Sequence, residues 1–346
     1  MNTIAPVQAA QGRKRSRPVL PGLGFGAIAC LSALLLVAGF LGHYAAALDS
    51  FSHFRVHLGL AAIVAGLAAT ALCRRRARLV LGIVPLLVGI YAVFTVLPFL
   101  TDLGETIAHQ GDGANASGDR GAAASAEEAL TLLQMNLLYK AETAPALRTI
   151  RQASADFVTL QEASPRWIEA LGATGDLYPH RATCANAQLS SSVLILSKHP
   201  FDGAVICRER LRFVAGTVVL ENGHRVTIGS AHLFWPWPHG QRWQLHALSP
   251  ELEALPSPLL VGGDFNAVPW SASVRKFAAA SATSPVRHIG ATFAPAFLPA
   301  AWKAWVGLPI DNVLVSEEIL VQSAETLAPT AADHLPVQVR FAIADD

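Results

Sequence analysis

Charge is scarce in this chain. Asp, Glu, Lys and Arg make up only 15% of its 346 residues and the formal net charge is +1, so no global basic field marks a nucleic-acid binder. Cysteine is sparse as well. Cys30, Cys73, Cys184 and Cys207 form no CxxC pair and no Cys/His spacing suited to structural zinc. Apolar residues, in contrast, reach 52%, more than a soluble domain carries, so part of the chain is expected in lipid.

That part is the first hundred residues. Val19–Leu41, Val56–Cys73 and Leu79–Leu100 hold no acidic or basic side chain, and each has about the length of a membrane-crossing helix. The middle run, short and with His57 at its edge, has an interfacial or re-entrant helix as its alternative. Arg13, Lys14, Arg15 and Arg17 precede the first run; Arg74, Arg75, Arg76 and Arg78 lie between the second and third. Both clusters fall on one side only if all three runs cross, and the bias of basic loops makes that side the cytoplasm. Everything after Leu100 is then expected outside the cytoplasm.

The organisation read from these shifts is a basic cytoplasmic N-terminus (1–18), a membrane region (19–100), a Gly/Ala/Ser-rich linker (101–128) and one domain (129–346). As a flexible coil the linker would reach roughly 30 Å. The domain is long enough for its own core. Strands are predicted at Leu130–Leu138, Phe157–Gln161 and Ser192–Ser197, with helices at Ala144–Ser154 and Pro165–Leu171. A hairpin pairs Phe213–Leu220 with Arg225–Ser230 across Asn222-Gly223. A helix over Gln241–Leu255 leads to an apolar strand that two glycines break, in Leu259 to Trp270, and strands at Asp311–Val315 and Val337–Ala342 close the domain. Alternating elements with a hairpin among them imply α/β layers with mixed sheets.

Polar residues gather at these strand ends. Asn136 ends LTLLQMN, Glu162 ends FVTLQE, His232 ends VTIGSAH, Asp264 and Asn266 end LLVGGDFN, Asp311 opens IDNVLV, and Asp333-His334 precedes the last strand. Each alone is explained by a turn or cap. Together they bring acids, amides and imidazoles to one end of the strands, which suits holding a phosphate and a hydrated metal.

The ordered set QMN, LQE, SAH, GDFN, IDNVLV and DH, from about Leu130 to the C-terminus, resembles the endonuclease/exonuclease/phosphatase superfamily, which includes DNase I-like nucleases, sphingomyelinases and inositol polyphosphate 5-phosphatases. Three spans ahead of such a domain, with AHLFWPWPHGQRWQL and LPIDNVLVS, further resemble its membrane-anchored VanJ-like subgroup. The resemblance implies a four-layer α/β/β/α sandwich of two packed mixed sheets. It also implies a phosphohydrolase dependent on Mg²⁺, with Mn²⁺ as a substitute. By it Glu162, Asn136 and Asp333 would hold the metal. His334 would act as general base or phosphate-side partner oriented by Asp311, Asp264 would align the attacking water, Asn266 would donate to a phosphoryl oxygen, and His232 would stabilise charge or assist the leaving group. Two departures qualify this. Leu138 stands where some relatives carry a second acid, which favours one metal. Between Ala187 and Val193 only Gln188 and serines are available to pair with His232.

Three readings remain: an extracytoplasmic phosphohydrolase acting on a phosphate ester or pyrophosphate, possibly one carried by a lipid; a tethered nuclease, although no basic run interleaved with aromatics suggests a stable nucleic-acid partner; and a non-catalytic binding module. Trp235, Trp237, Trp302 and Trp305, with Arg242 and Lys303 beside them, occupy two connections flanking the catalytic strands, and Trp270 follows a third. Tryptophan favours the headgroup zone, so these connections are expected to form a rim against the bilayer; a satellite hydrophobic cluster is the alternative. Cys184 and Cys207 fit either a disulfide or two unpaired core thiols.

Overall fold

The computed structural model describes residues 19–100, 129–185, 192–295 and 306–344. The basic N-terminus, the linker and the segment with Trp302, Lys303 and Trp305 lie outside the described residues. The described residues form two compact units: one takes in those up to Leu35 with Leu58–Tyr91, the other Leu36–His57 with those from Ala92 onward.

The first unit is built from most of α1 (Val19–Phe40), α3 (Arg55–Leu72) and α5 (Val84–Phe94), with α4 (Arg75–Arg78) before α5, while α2 (Ala46–Asp49), between α1 and α3, belongs to the second. Among the described residues three helices are long and apolar enough to cross a membrane: Leu20–Phe40, Ala46–Leu72 and Arg75–Phe94. Small residues let them pack closely. A Cβ at Gly89 would lie 2.7 Å from the Gly59 carbonyl oxygen, so only glycine permits that approach. The middle helix begins earlier than its apolar run suggests, because Ala46–Asp49 and the 3₁₀ turn Ser50–Phe54 lead directly into it.

The second unit holds two six-stranded sheets. α6 (Leu97–Leu100) belongs to it and precedes the sheets in the chain. Its elements are β1 (Leu130–Asn136), α7 (Thr143–Ala153), β2 (Phe157–Ala163), α8 (Pro165–Ala170), β3 (His180–Cys184), β4 (Ser192–Ser197), β5 (Ile206–Arg208), β6 (Phe213–Val219), β7 (Arg225–His232), α9 (Gln241–Glu253), β8 (Leu259–Asp264), α10 (Ala272–Ala280), β9 (Ser284–Pro285), β10 (Asp311–Val315), β11 (Ile319–Thr326) and β12 (Val337–Ile343). One sheet runs β11-β12-β1-β2-β4-β3 and the other β5-β6-β7-β8-β10-β9. Each has one parallel pair, β1 with β2 and β7 with β8, and the rest are antiparallel.

Residues from both sheets, among them Leu132, Phe157, Ile195, Val214, Ile228, Leu260 and Val313, form the core between them. Ala146 and Ile150 of α7 and Trp167 of α8 pack on the outer face of the first sheet. Leu245 and Leu248 of α9 and Phe277 of α10 cover the second. This is the four-layer α/β sandwich.

Several local readings change. β3, β5, β9, β11 and α10 were not anticipated, because short edge strands such as Ile206–Arg208 and the exposed, mixed pattern of Ile319–Thr326 carry little periodic signal. β8 is not broken by its glycines. It runs through Gly262 and Gly263 to Asp264, and a Cβ at Gly263 would collide with the backbone of Ala231 on β7. Cys184 on β3 and Cys207 on β5 are joined as a disulfide, tying the edge of one sheet to the edge of the other.

Candidate active site

The parallel pairs bring their carboxyl ends to the same edge of the sandwich. In the second sheet His232, Asp264 and Asp311 are register neighbours across β7, β8 and β10. From the first sheet Asn136 closes β1 and sends its amide across the core: Nδ2 donates to Asp264 Oδ2 at 2.9 Å and to Glu162 Oε1 at 3.3 Å. Glu162 is aimed by an irregularity of β2, whose register against β4 slips between Leu160 and Ala163. Such a bulge re-points one side chain without ending the strand.

Strain concentrates here. Leu138, Glu162, Arg212 and Asn266 all have positive φ, between 46° and 56°. Non-glycine residues adopt this conformation only where surroundings impose it, and functional sites are its usual place. At Asn266 the surroundings are visible: its N–H donates to Asp264 Oδ1 at 2.8 Å and its side-chain amide to the Leu233 carbonyl at 2.8 Å.

Asp311 is fully engaged. Oδ2 meets His334 Nδ1 at 2.7 Å, and Oδ1 accepts from Gln134 Nε2 at 3.2 Å. Gln134 belongs to a buried amide network in which it exchanges hydrogen bonds with Gln161 at 2.6 and 2.9 Å, while Gln161 donates to Ser230. His334 Nε2 faces Asp264 Oδ2 at 3.8 Å. Burial alone would lower the His334 pKa, but Asp311, Asp264 and Asp333 outweigh it and hold the ring protonated, raised to about 10. His232 behaves oppositely. Burial lowers it to about 3, helped by the charges of Arg212 and His334, and its Nδ1 has no partner among the described residues. Burial pushes Asp264 up to about 7, against the pull of His334.

Among the described residues two groups of side chains could hold a cation: Glu162, His232 and Asp264, and Asp264, Asp311 and His334, with potential ligand atoms within 4.8 Å of one another. The first is the better fit to a hard divalent ion, since it offers two carboxylates and its histidine is neutral. The second contains the protonated His334. Asn136 touches Glu162 as the sequence suggests, but its Oδ1 already accepts from Leu138 N–H at 2.9 Å. Asp333 belongs to neither group; its buried Oδ1 has no hydrogen-bond partner among the described residues.

Two participants escaped the sequence reading. Gln134 looked like an ordinary strand residue. Arg212 stacks over the Phe234 ring at 4.8 Å and turns its charge toward Glu162 and Asp264. The β6–β7 pairing sets Phe213 opposite Ala231, which puts Arg212 opposite His232; the sequence carried no signal for it. Phe293 forms a further wall, 4.9 Å from the His334 ring and 6.3 Å from that of Trp235. Trp235 and Trp237 are exposed. Trp270 is buried and donates to the Ser52 carbonyl at 2.8 Å, so it is core rather than rim.

Residues 133–334 match the Endonuclease/Exonuclease/phosphatase family, whose members hydrolyse phosphate esters and use divalent metals. No curated protein sequence matches this chain significantly. Among solved structures it is similar to an endonuclease/exonuclease/phosphatase from Bacteroides vulgatus, at 14% identity and TM-score 0.52 over 62% of this chain and 99% of that one. A protein of the same description from Beutenbergia cavernae shares 17% identity, with TM-score 0.49 over 63% and 72%. Sphingomyelinase C from Streptomyces griseocarneus shares 15%, with TM-score 0.44 over 63% and 99%. With more than half of its length matched and the sandwich in common, this chain belongs to the Endonuclease/Exonuclease/phosphatase family.

Proposed function

We propose that the protein is a membrane-anchored hydrolase of the VanJ-like kind, dependent on Mg²⁺ and cleaving a phosphate ester or pyrophosphate outside the cytoplasm, with a lipid-linked substrate favoured. The observation that carries the chemistry is the convergence on Asp264 of Asn136, Glu162, Asn266, His232 and His334. Fold upkeep alone does not call for buried charges so arranged.

In this reading Glu162 and Asp264 would hold the ion, with Asn136 orienting both carboxylates and Asp333 as a further candidate ligand. The ion supplies Lewis-acid stabilisation of charge on the phosphate. A water oxygen aligned by Asp264 attacks phosphorus as the P–O bond to the leaving group breaks and its electrons pass to the leaving oxygen, the proton lost by the water passing through solvent to that oxygen. His334, held protonated by Asp311, donates to a phosphoryl oxygen, as would Asn266 after turning from Leu233. His232 stays neutral and serves by contact rather than as an acid. Arg212 faces the charge that grows in the transition state.

The disulfide supports an extracytoplasmic domain, since such bonds persist in oxidising compartments. The start of the second apolar helix, Ala46–Phe54, supports the same side. Asp49 accepts from Ala272 N–H at 2.8 Å and Ser273 N–H at 3.0 Å, and His53 Nε2 meets the Asn266 carbonyl at 3.3 Å. The domain therefore shares a side with residues 41–55, which the basic clusters assign to the outside. Exposed Trp235 and Trp237, with Arg242, support a rim at the outer leaflet; Trp302 and Trp305 complete it in sequence only.

To test this, purified full-length protein in detergent is offered polyprenyl pyrophosphates, phosphoinositides, sphingomyelin and single- and double-stranded DNA with Mg²⁺. Release of phosphate or head group from a lipid is expected. Cleavage of DNA alone would make it a tethered nuclease.

A further inference from the structure

A cleft of about 350 Å³ is lined by none of the catalytic residues. Gly42 and His43 form one wall, α9 contributes Arg242, and α10 contributes Arg275 and Lys276. Its walls are tied together by side chains. Asp49 caps α10, as described, and also accepts from Ser273 Oγ at 3.1 Å and Ser52 Oγ at 3.1 Å. Arg242 donates to the carbonyls of Tyr44 at 3.1 Å and His43 at 3.4 Å, and Arg275 donates to that of Trp270.

These partners leave the charges unbalanced. Three cations face the cleft, and among the described residues none is paired with a carboxylate. The one acid in the lining, Asp49, already has both oxygens occupied by N–H and O–H donors. Gly42 and His43 follow Phe40, the end of the first apolar helix, by two and three residues, which sets the cleft at headgroup depth if that helix spans.

We propose that this cleft binds the phosphate of an anionic phospholipid, apart from any lipid that is hydrolysed. Guanidinium groups match phosphate oxygens in pairs, lysine adds a point charge, and basic groups beside a span attract anionic lipids. The inference rests on the membrane-anchored reading above and is independent of the catalytic one.

The test is thermal unfolding of the full chain in dodecyl maltoside, followed by tryptophan fluorescence. Dihexanoyl-phosphatidylglycerol, dihexanoyl-phosphatidylcholine or sodium phosphate is added at equal phosphate concentration. Phosphatidylglycerol is expected to raise Tm by a few degrees and the other two not to, as for a ligand bound only by the folded state. The rise should vanish in R275Q/K276Q, survive in the charge-retaining R275K/K276R, and survive in E162Q/H334N, whose changes lie in the catalytic site. If R275Q/K276Q does not fold, K276Q alone, altering one exposed side chain, is expected to reduce the rise. An equal rise with phosphatidylcholine means no anion selectivity, and an equal rise with phosphate means a soluble-anion site; either overturns the proposal. So does a rise unchanged in R275Q/K276Q or K276Q, or one lost only in E162Q/H334N, which would place the lipid in the catalytic site. Failure of the membrane reading is seen separately, in reporter fusions.

Discussion

Asp264 accepts from Asn136 and from the Asn266 backbone while facing two imidazoles, so its removal disturbs every other group in the site. H334A, D264A and E162A are each expected to lower hydrolysis by roughly 10²–10⁴-fold with the fold intact. Because the groups act as a unit, the H334A/E162A pair should be little worse than either single change, measured as kcat/KM on one substrate. Retained activity in all three folded variants would remove the site. Asp311 makes a separable prediction. In metal-free D311N the His334 pKa should fall from about 10 toward the ordinary histidine value, read by NMR titration of the ring. The stability sign follows from the raised folded-state value: the His334–Asp311 pair contributes fully below about pH 6.5, the unfolded pKa, and its contribution fades as pH rises through about 10. The stability gap between wild type and D311N should therefore narrow on going from pH 6 to pH 10.

Among the elements, α10 depends on a residue more than two hundred positions away. Its N-terminal N–H groups are satisfied by Asp49 and by the Ser271 side chain, which accepts from Val274 N–H. D49A should destabilise the second unit by about 1–2 kcal/mol, the range of a lost helix cap, as a lower urea midpoint. No shift would mean that the loop and α10 are not joined in solution. Nearby, His53 holds the carbonyl of Asn266 with one ring nitrogen and faces the Asp49 and Ser50 carbonyls with the other, so the same connection reaches the strained turn of the active site.

For the whole molecule the expectations concern sidedness and the rim. A reporter active only outside the cytoplasm should work when fused after Asp346 and fail within Arg74 to Arg78; the reverse pattern would mean that the middle helix does not span. W235A/W237A should lose more activity on a head group presented in vesicles than on a short-chain soluble phosphate ester. Equal losses on both would end the role of these tryptophans at a membrane. Trp235 touches Phe293, and Phe293 touches His334, so some loss on the soluble ester is expected too.

By itself the sequence determined what local pattern can carry. Uninterrupted apolar runs marked the three long helices, alternation with a turn dipeptide marked the β6–β7 hairpin, and acids, amides and histidines at strand ends marked Asn136, Glu162, His232, Asp264, Asp311 and His334 before any contact was known. Arg212, a lone arginine after a short turn, carried no such mark, and only the observed strand register sets it opposite His232. Tertiary structure decided the rest, because it turns on groups distant in the chain. Gln134 matters only once Asp311 lies beside it, 177 residues on. Trp270 is core rather than rim because the Ser52 carbonyl meets it, and Cys184 finds Cys207 because two sheet edges converge. The charge states of His334 and His232 could not be read from either residue's neighbours in sequence. Both rings are buried and both face Asp264; what separates them is that His334 also pairs with Asp311, while His232 faces the positive charges of Arg212 and His334.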